Sequence, residues 1–254
     1  MKHPLPLLLA VSLTLNLSAE TWTADDNGLW SDPANWYAGE VPAASGADIR
    51  LQPTIGADDI TSSIDADWST GGAVNSLTVL PVPQTTADIG TFILSPGAGV
   101  SSLTIGAGGI RHYGALNALT LNIPIFLSAN QTWLLQRTTT QWNDFTQRIN
   151  VTALVDGDTA GTELTLRGGP HTTRGNPNTS MVLSGAEGRL GGNISRLDLV
   201  GGVLQLGASA TDTHFNRIAD TTAIASNGGT LTVHRQGNGT EDLGGLPWNQ
   251  ATSM

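Results

Sequence analysis

The sequence predicts an all-β protein, a right-handed parallel β-helix (a solenoid) with a tryptophan-rich N-terminal cap; an antiparallel β-sandwich is the alternative architecture. Three observations carry this reading. A short strand phrase recurs along the chain, and glycine and asparagine punctuate it. The residues that build long amphipathic helices are also scarce. Charged residues make up 13% of the chain, whereas Gly, at 31 of 254 residues, is well above its usual share.

The phrase is a small residue, a leucine, one further residue and an aliphatic residue. It appears as NSLTVL (Leu77, Val79), SSLTIG (Leu103, Ile105), NALTLN (Leu119, Leu121), TELTLRGG (Leu164, Leu166), SRLDLVGG (Leu197, Leu199), GVLQLG (Leu204, Leu206) and GTLTVH (Leu231, Val233). Apolar and polar residues alternate with period two, as in a half-buried strand. The run Gly106–Gly109 and the Gly-Gly pairs starting at Gly168, Gly191, Gly201 and Gly228 read as tight corners that need positive φ. Successive leucines are 26, 16, 45, 33, 7 and 27 residues apart. Several of these intervals lie near one or two turns of a solenoid coil of roughly 20–25 residues. Asn-Gly and Asp-Gly hairpin turns are few, and Thr- and Asn-rich faces suit ladders, so the β-helix is preferred over the sandwich.

The chain begins with a segment that reads as a signal peptide, residues 1–19. Met1, Lys2 and His3 precede an uncharged, mostly apolar run from Leu5 to Leu17, and Ser18 and Ala19 close it. This is the layout of a secretory leader cut after Ala19. The apolar run is too short to span a bilayer as a permanent helix. The expected localisation is secreted, at the cell surface or associated with the outer membrane. No transmembrane segment is expected in the mature chain.

Lys2 is the sole lysine among 11 Lys plus Arg, which leaves the mature chain ten arginines against 21 Asp plus Glu. That balance argues against nucleic acid and anionic membranes as partners. The chain has no cysteine, so disulfides and thiolate metal sites are excluded. Secretion without disulfides points to a bacterial envelope.

Residues 20–70 read as the N-terminal capping region. Trp22, Trp30 and Trp36 cluster there, although the chain has only seven Trp. An open solenoid end exposes a slice of core and unpaired backbone, so terminal coils are atypical and act as caps. Asp32-Pro33 starts a turn, and Asn35 is placed to satisfy local backbone donors. The competing reading makes Trp30 and Trp36 a platform that stacks on sugar rings. Residues 71–254 read as the solenoid proper, incomplete at its C-terminal end.

The stretch GLWSDPANWYAGEVP, followed by GADIRL, resembles the mature N-termini of secreted bacterial proteins with autotransporter-associated β-strand repeats, many of which end in a PEP-CTERM sorting signal. The matching residues are Trp22, Gly28, Trp30, Asn35, Trp36, Pro42 and Asp48. GGVLQLG and NGGTLTVH are similar to the family's repeat phrase. The resemblance implies a β-helical passenger at the cell surface or released from it, and implies no reaction. It covers the first 30 mature residues well and the rest loosely. The chain departs from the pattern at its end, PWNQATSM, which is neither an apolar anchor nor a barrel segment.

Candidate chemistry is sparse. ADDNG (Asp25, Asp26, Asn27) and DGDTAGTE (Asp156, Asp158, Glu163) collect oxygen ligands of the kind calcium takes, but Arg167 stands where a calcium loop of the second type needs a bidentate glutamate. No cofactor is expected, calcium being the one ion for which the residues make a weak case. For a carboxylate pair, Asp58 and Asp59 would point to opposite faces of a strand, whereas Asp65 and Asp67 could share one. With no lysine left after the expected cleavage, only an arginine could neutralise a uronate. His112, His171, His214 and His234 are widely scattered, and read as isolated residues on the polar surface. The expectation is therefore a non-enzymatic structural or adhesive protein whose partners are extracellular polysaccharide or cell-surface components. The alternative is a carbohydrate-binding or polysaccharide-cleaving β-helix.

Overall fold

The computed structural model describes residues 19–24, 26–52, 59–80, 90–113, 118–136, 147–168, 179–207, 214 and 216–233. The segment up to residue 18 that reads as a leader, Asp25, Asp58, Trp142, His171, His234 and the C-terminal PWNQATSM lie outside the described residues.

The strands in chain order are β1 (Glu20–Trp22), β2 (Gly28–Leu29), β3 (Ser45–Leu51), β4 (Ile60–Ile64), β5 (Ala73–Val79), β6 (Thr91–Pro96), β7 (Leu103–His112), β8 (Ala118–Leu121), β9 (Ile125–Leu127) and β10 (Gln131–Leu135). They continue as β11 (Gln147–Val151), β12 (Leu154–Gly157), β13 (Thr162–Gly168), β14 (Thr179–Leu183), β15 (Arg189–Leu190), β16 (Ile194–Val200), β17 (Val203–Leu206), β18 (Ala223–Asn227) and β19 (Thr230–Val233).

One sheet runs β1-β3-β5-β7-β10-β13-β16-β18, and the second runs β2-β4-β6-β8-β11-β14-β17-β19. A shorter flank of β9, β12 and β15 joins the first sheet through β7. Neighbouring strands within each sheet are parallel, β3 with β5 and β14 with β17 for example. The fold is a parallel β-helix, and the sandwich alternative falls. Each coil visits both sheets in turn, and its backbone groups pair with the coils before and after.

The registers explain the uneven leucine intervals. In the second sheet Ile60, Phe92, Leu119, Ile149, Met181, Leu204 and Leu231 form one continuous row. Leu164 and Leu197 belong to the first sheet, and Leu103 faces Ile125 on the short flank. The recurring phrase therefore mixes rows from different faces. Within a row a coil takes 23 residues from Met181 to Leu204 and 32 from Ile149 to Met181. Most coils are thus longer than the 20–25 expected. The paired strands of the second sheet from β4 to β19 stay at four to six residues, so much of the difference lies in the segments between them, where loop length is tolerated at small entropic cost.

Two local readings also change. Gly106–Gly109 is not a corner but part of β7, where the register jumps from Val74–Ile105 to Ser76–Gly109 and two extra residues bulge outward. Gly109 has φ +64°, and a Cβ there would stand 2.4 Å from the Thr132 carbonyl oxygen. The sequence from Ala129 to Asn150 reads as less regular, a longer coil or a loop packed on the solenoid's flank, yet its Trp133 sits fully buried in the regular strand β10. The core is otherwise aliphatic rows stacked coil on coil, with Leu103, Ile125, Val155 and Leu190 in line on the flank. Short polar ladders seal a corner: the Asn122 amide donates to Ser95 Oγ at 3.4 Å and the Thr152 hydroxyl to Asn122 Oδ1 at 3.0 Å.

Candidate functional site

Two places compete for function. One is the tryptophan-bearing end, the other an open groove on the outer face of the first sheet.

At the end formed by β1 and β2, Trp22 and Trp30 are 0% exposed and Trp36 is 3% exposed. Trp36 packs edge-to-face against Trp22 (ring centroids 5.3 Å apart) and against Trp30 (5.5 Å). Trp68 adds a fourth indole 4.6 Å from Trp30, and Phe92 lies 6.1 Å from Trp22. The T-shaped arrangement puts positive ring edges against negative ring faces. Three indole N–H groups are satisfied: Trp30 donates to Ser62 Oγ at 2.7 Å, Trp36 to the Trp30 carbonyl at 2.8 Å and Trp68 to the Pro42 carbonyl at 2.8 Å. The Trp22 N–H is buried and finds no acceptor among the described residues. In this conformation no face of Trp22, Trp30 or Trp36 is open to a sugar.

The rest of the motif positions these rings. Asp32 caps a 3-10 turn over Pro33–Asn35 by accepting from the Ala34 N–H at 2.9 Å. Asn35 works in the opposite sense to the expectation: its side-chain amide donates to the Leu29 carbonyl at 2.9 Å rather than accepting from a backbone donor. Its own backbone carbonyl accepts from Thr23. A Cβ at Gly28 would stand 2.3 Å from Asn35 Nδ2, so a larger residue there would push the Asn35 amide off the Leu29 carbonyl. Asp48 accepts from Asn75 Nδ2 at 2.8 Å and Ser76 Oγ at 2.6 Å, which ties the first coil to the second.

The acidic candidates serve backbone geometry. Asp156 Oδ1 accepts from the Gly157 and Asn193 N–H groups, both at 2.9 Å. Asp158 and Glu163 are exposed, and no three His, Asp or Glu residues converge among the described residues. Asp65 and Asp67 lie in the turn after β4, not on one strand face. Asp65 is buried and accepts from the Ser31 N–H at 3.0 Å, whereas Asp67 faces solvent. His112 is not a surface residue. It occupies the inward row Leu51–Val79–His112–Leu135 and is 0% exposed. Desolvation drives its pKa down to about 4, with a backbone hydrogen bond opposing.

The groove holds about 640 Å³. The β7 bulge, Ala107 and Gly108, forms one wall; Asn130, Thr132 and Gln136 supply polar edges; Arg111, Leu134 and Arg167 cross it. These last three sit on one row. Arg50 pairs with Thr78, Thr78 with Arg111, Arg111 with Leu134 and Leu134 with Arg167. All three arginines are exposed, and Leu134 between two of them is half-buried. The ion pairs found among the described residues are elsewhere, Arg189–Glu187 and Arg196–Asp198. Three of the chain's ten arginines thus line up on one face of an acidic protein. The sequence holds a faint trace of this in Ile49-Arg50-Leu51, Ile110-Arg111-His112 and Leu166-Arg167-Gly168. It becomes legible only once the coil lengths are known.

No protein-family model matches the chain, and comparison with curated proteins and with solved structures gives no match.

Proposed function

We propose that this chain is a secreted, non-enzymatic β-solenoid that works at the cell surface or in the extracellular matrix as a rigid adhesive scaffold. The observation that carries the reading is the register-locked outer face of the first sheet. Side chains there are held at fixed spacing along the stack, so weak contacts to a long partner add without an ordering cost for the protein. The N-terminal leader and the resemblance of Trp22–Asp48 to autotransporter-associated repeat proteins support the same reading. In it, Trp22, Trp30, Trp36 and Asn35 form the structural cap of the first coil.

Two measurements test it. N-terminal sequencing of protein recovered from the envelope or medium of a bacterial host should read from Glu20; intact protein retaining Met1 in the cytosol would overturn secretion. Mature protein on beads should retain polysaccharide from a crude extracellular extract, read by a sugar assay. Equal retention by heat-unfolded protein would remove the folded face from the explanation.

A further inference from the structure

We infer that the row Arg50–Thr78–Arg111–Leu134–Arg167 is a binding track for a linear acidic polysaccharide, whose carboxylate or sulfate groups are taken by the three guanidinium groups. The inference rests on the scaffold reading above and names its partner.

The geometry sets the charge density of the ligand. Neighbouring strands in a sheet lie about 4.8 Å apart, so arginines on alternate coils recur every ~9.6 Å and the three span ~19 Å. Duplex DNA carries a charge every ~1.7 Å of its axis and a single strand one per ~3.4 Å. The row is far too sparse for either, but it suits a polymer that spaces its anions by a disaccharide. Nucleic acid would also want stacking platforms. The large exposed apolar residues among those described are Leu29, Tyr37 and Val233, none on this row.

The surroundings fit a sugar chain. Leu134, half-buried between two exposed arginines, gives an apolar strip for the C–H face of a pyranose, extended by the flanking arginine stems. Thr132, Asn130 and Gln136 at the groove's edge offer hydroxyl and amide groups to sugar hydroxyls. Guanidinium is a planar fork that pairs two-point with carboxylate or sulfate oxygens.

Acids on the same sheet face leave these arginines available. Asp198 pairs with Arg196, and Asp48 is engaged by Asn75 and Ser76. Glu163 is four residues from Arg167 along β13, about 13 Å at the rise of a strand. At 0.15 M salt the Debye length is about 8 Å, which screens the net negative charge of the other faces while contacts on the row persist.

The test is affinity electrophoresis of the mature chain in gels containing hyaluronan (one carboxylate per disaccharide), a sulfated galactan, a neutral β-glucan or single-stranded DNA. Hyaluronan should retard the protein, and the effect should weaken as salt rises. Arg111→Gln or Arg167→Gln should weaken retention about tenfold, and the double variant about a hundredfold. Arg148→Gln, which removes an exposed arginine from β11 in the second sheet, should change nothing. Circular dichroism verifies that each variant is folded. Retention by the sulfated galactan instead of hyaluronan assigns the row to sulfate and supports the inference. Equal retention by the neutral β-glucan, insensitive to the arginine variants, overturns the track and leaves the scaffold reading intact. Stronger retention by DNA, or equal loss with Arg148→Gln, also overturns the track. No retardation in any gel sinks both.

Discussion

At the end where β1 and β2 close the stack, the indoles of Trp22, Trp30 and Trp36 lean edge-to-face on one another and show almost no surface. On the outer face of the same solenoid, Arg50, Arg111 and Arg167 stand exposed along one row, without ion pairs among the described residues. The rings close one end of the stack, whereas the arginines ride on β3, β7 and β13 along its length. Within the first sheet, inward Trp22 and outward Arg50 take opposite sides of the pleat. The contrast teaches that residue type is a poor guide to exposure in a solenoid. Aromatic rings that could serve a ligand are consumed by an end that must be covered, and cations in an acidic chain are left facing water.

The sharpest way to break the comparison is to remove a ring. Trp30→Ala leaves a cavity and strands the Ser62 hydroxyl, its partner at 2.7 Å. A loss of roughly 3–5 kcal/mol is expected, the usual range for burying and then deleting an aromatic. Urea denaturation followed by circular dichroism reads it. A variant as stable as the parent would reopen the reading of Trp30 as a displaceable sugar platform.

Next comes the inward neighbour of the arginine row. His112 titrates at about 4 in the folded chain against 6.5 normally, because burial disfavours its charge. Between those two values the unfolded chain binds the extra proton, so stability is full above about pH 6.5, declines as pH falls, and levels off below about pH 4. The total is roughly 3 kcal/mol. His112→Leu should flatten that segment of the stability–pH curve, measured by denaturant midpoints from pH 7 to pH 4. An unchanged curve would assign the slope to other groups.

The bulge that walls the groove gives a smaller effect. Gly109→Ala places a Cβ against the Thr132 carbonyl at positive φ, and about 1–3 kcal/mol should be lost. Thermal melts of this variant beside Gly46→Ala separate the two causes. Gly46 has φ +73° but no neighbour within 4 Å, so it carries the backbone term alone. Smallest is Arg111→Gln, which should move stability by no more than about 0.5 kcal/mol. A larger loss would mean that the row supports the fold instead of waiting for a ligand.

Much of this could be read before the structure. Alternation in phrases such as TELTLRGG placed Leu164 and Leu166 inward, as they are. The glycine at 201 proved to be a positive-φ corner, whereas the glycines at 106–109 did not. The difference is physical: both kinds of site need backbone freedom, and composition alone cannot tell a corner from a bulge. Asn35 reads as an acceptor for backbone donors, whereas its side chain donates, because the Leu29 carbonyl lies within reach. His112 looked like any scattered histidine, because nothing in Ile110-Arg111-His112 says which residue of the three points away from the core.

By itself the sequence determined the period-two strands, their turn-rich punctuation and a chain poor in helix formers, and these are local properties of side-chain alternation and backbone preference. The tertiary structure decided which strands stack. Registers such as Leu134 beside both Arg111 and Arg167 depend on how many residues each connection takes before the chain returns to the same sheet. Loop length costs little free energy, so local patterning does not encode it, and the arginine row exists only where the coils close.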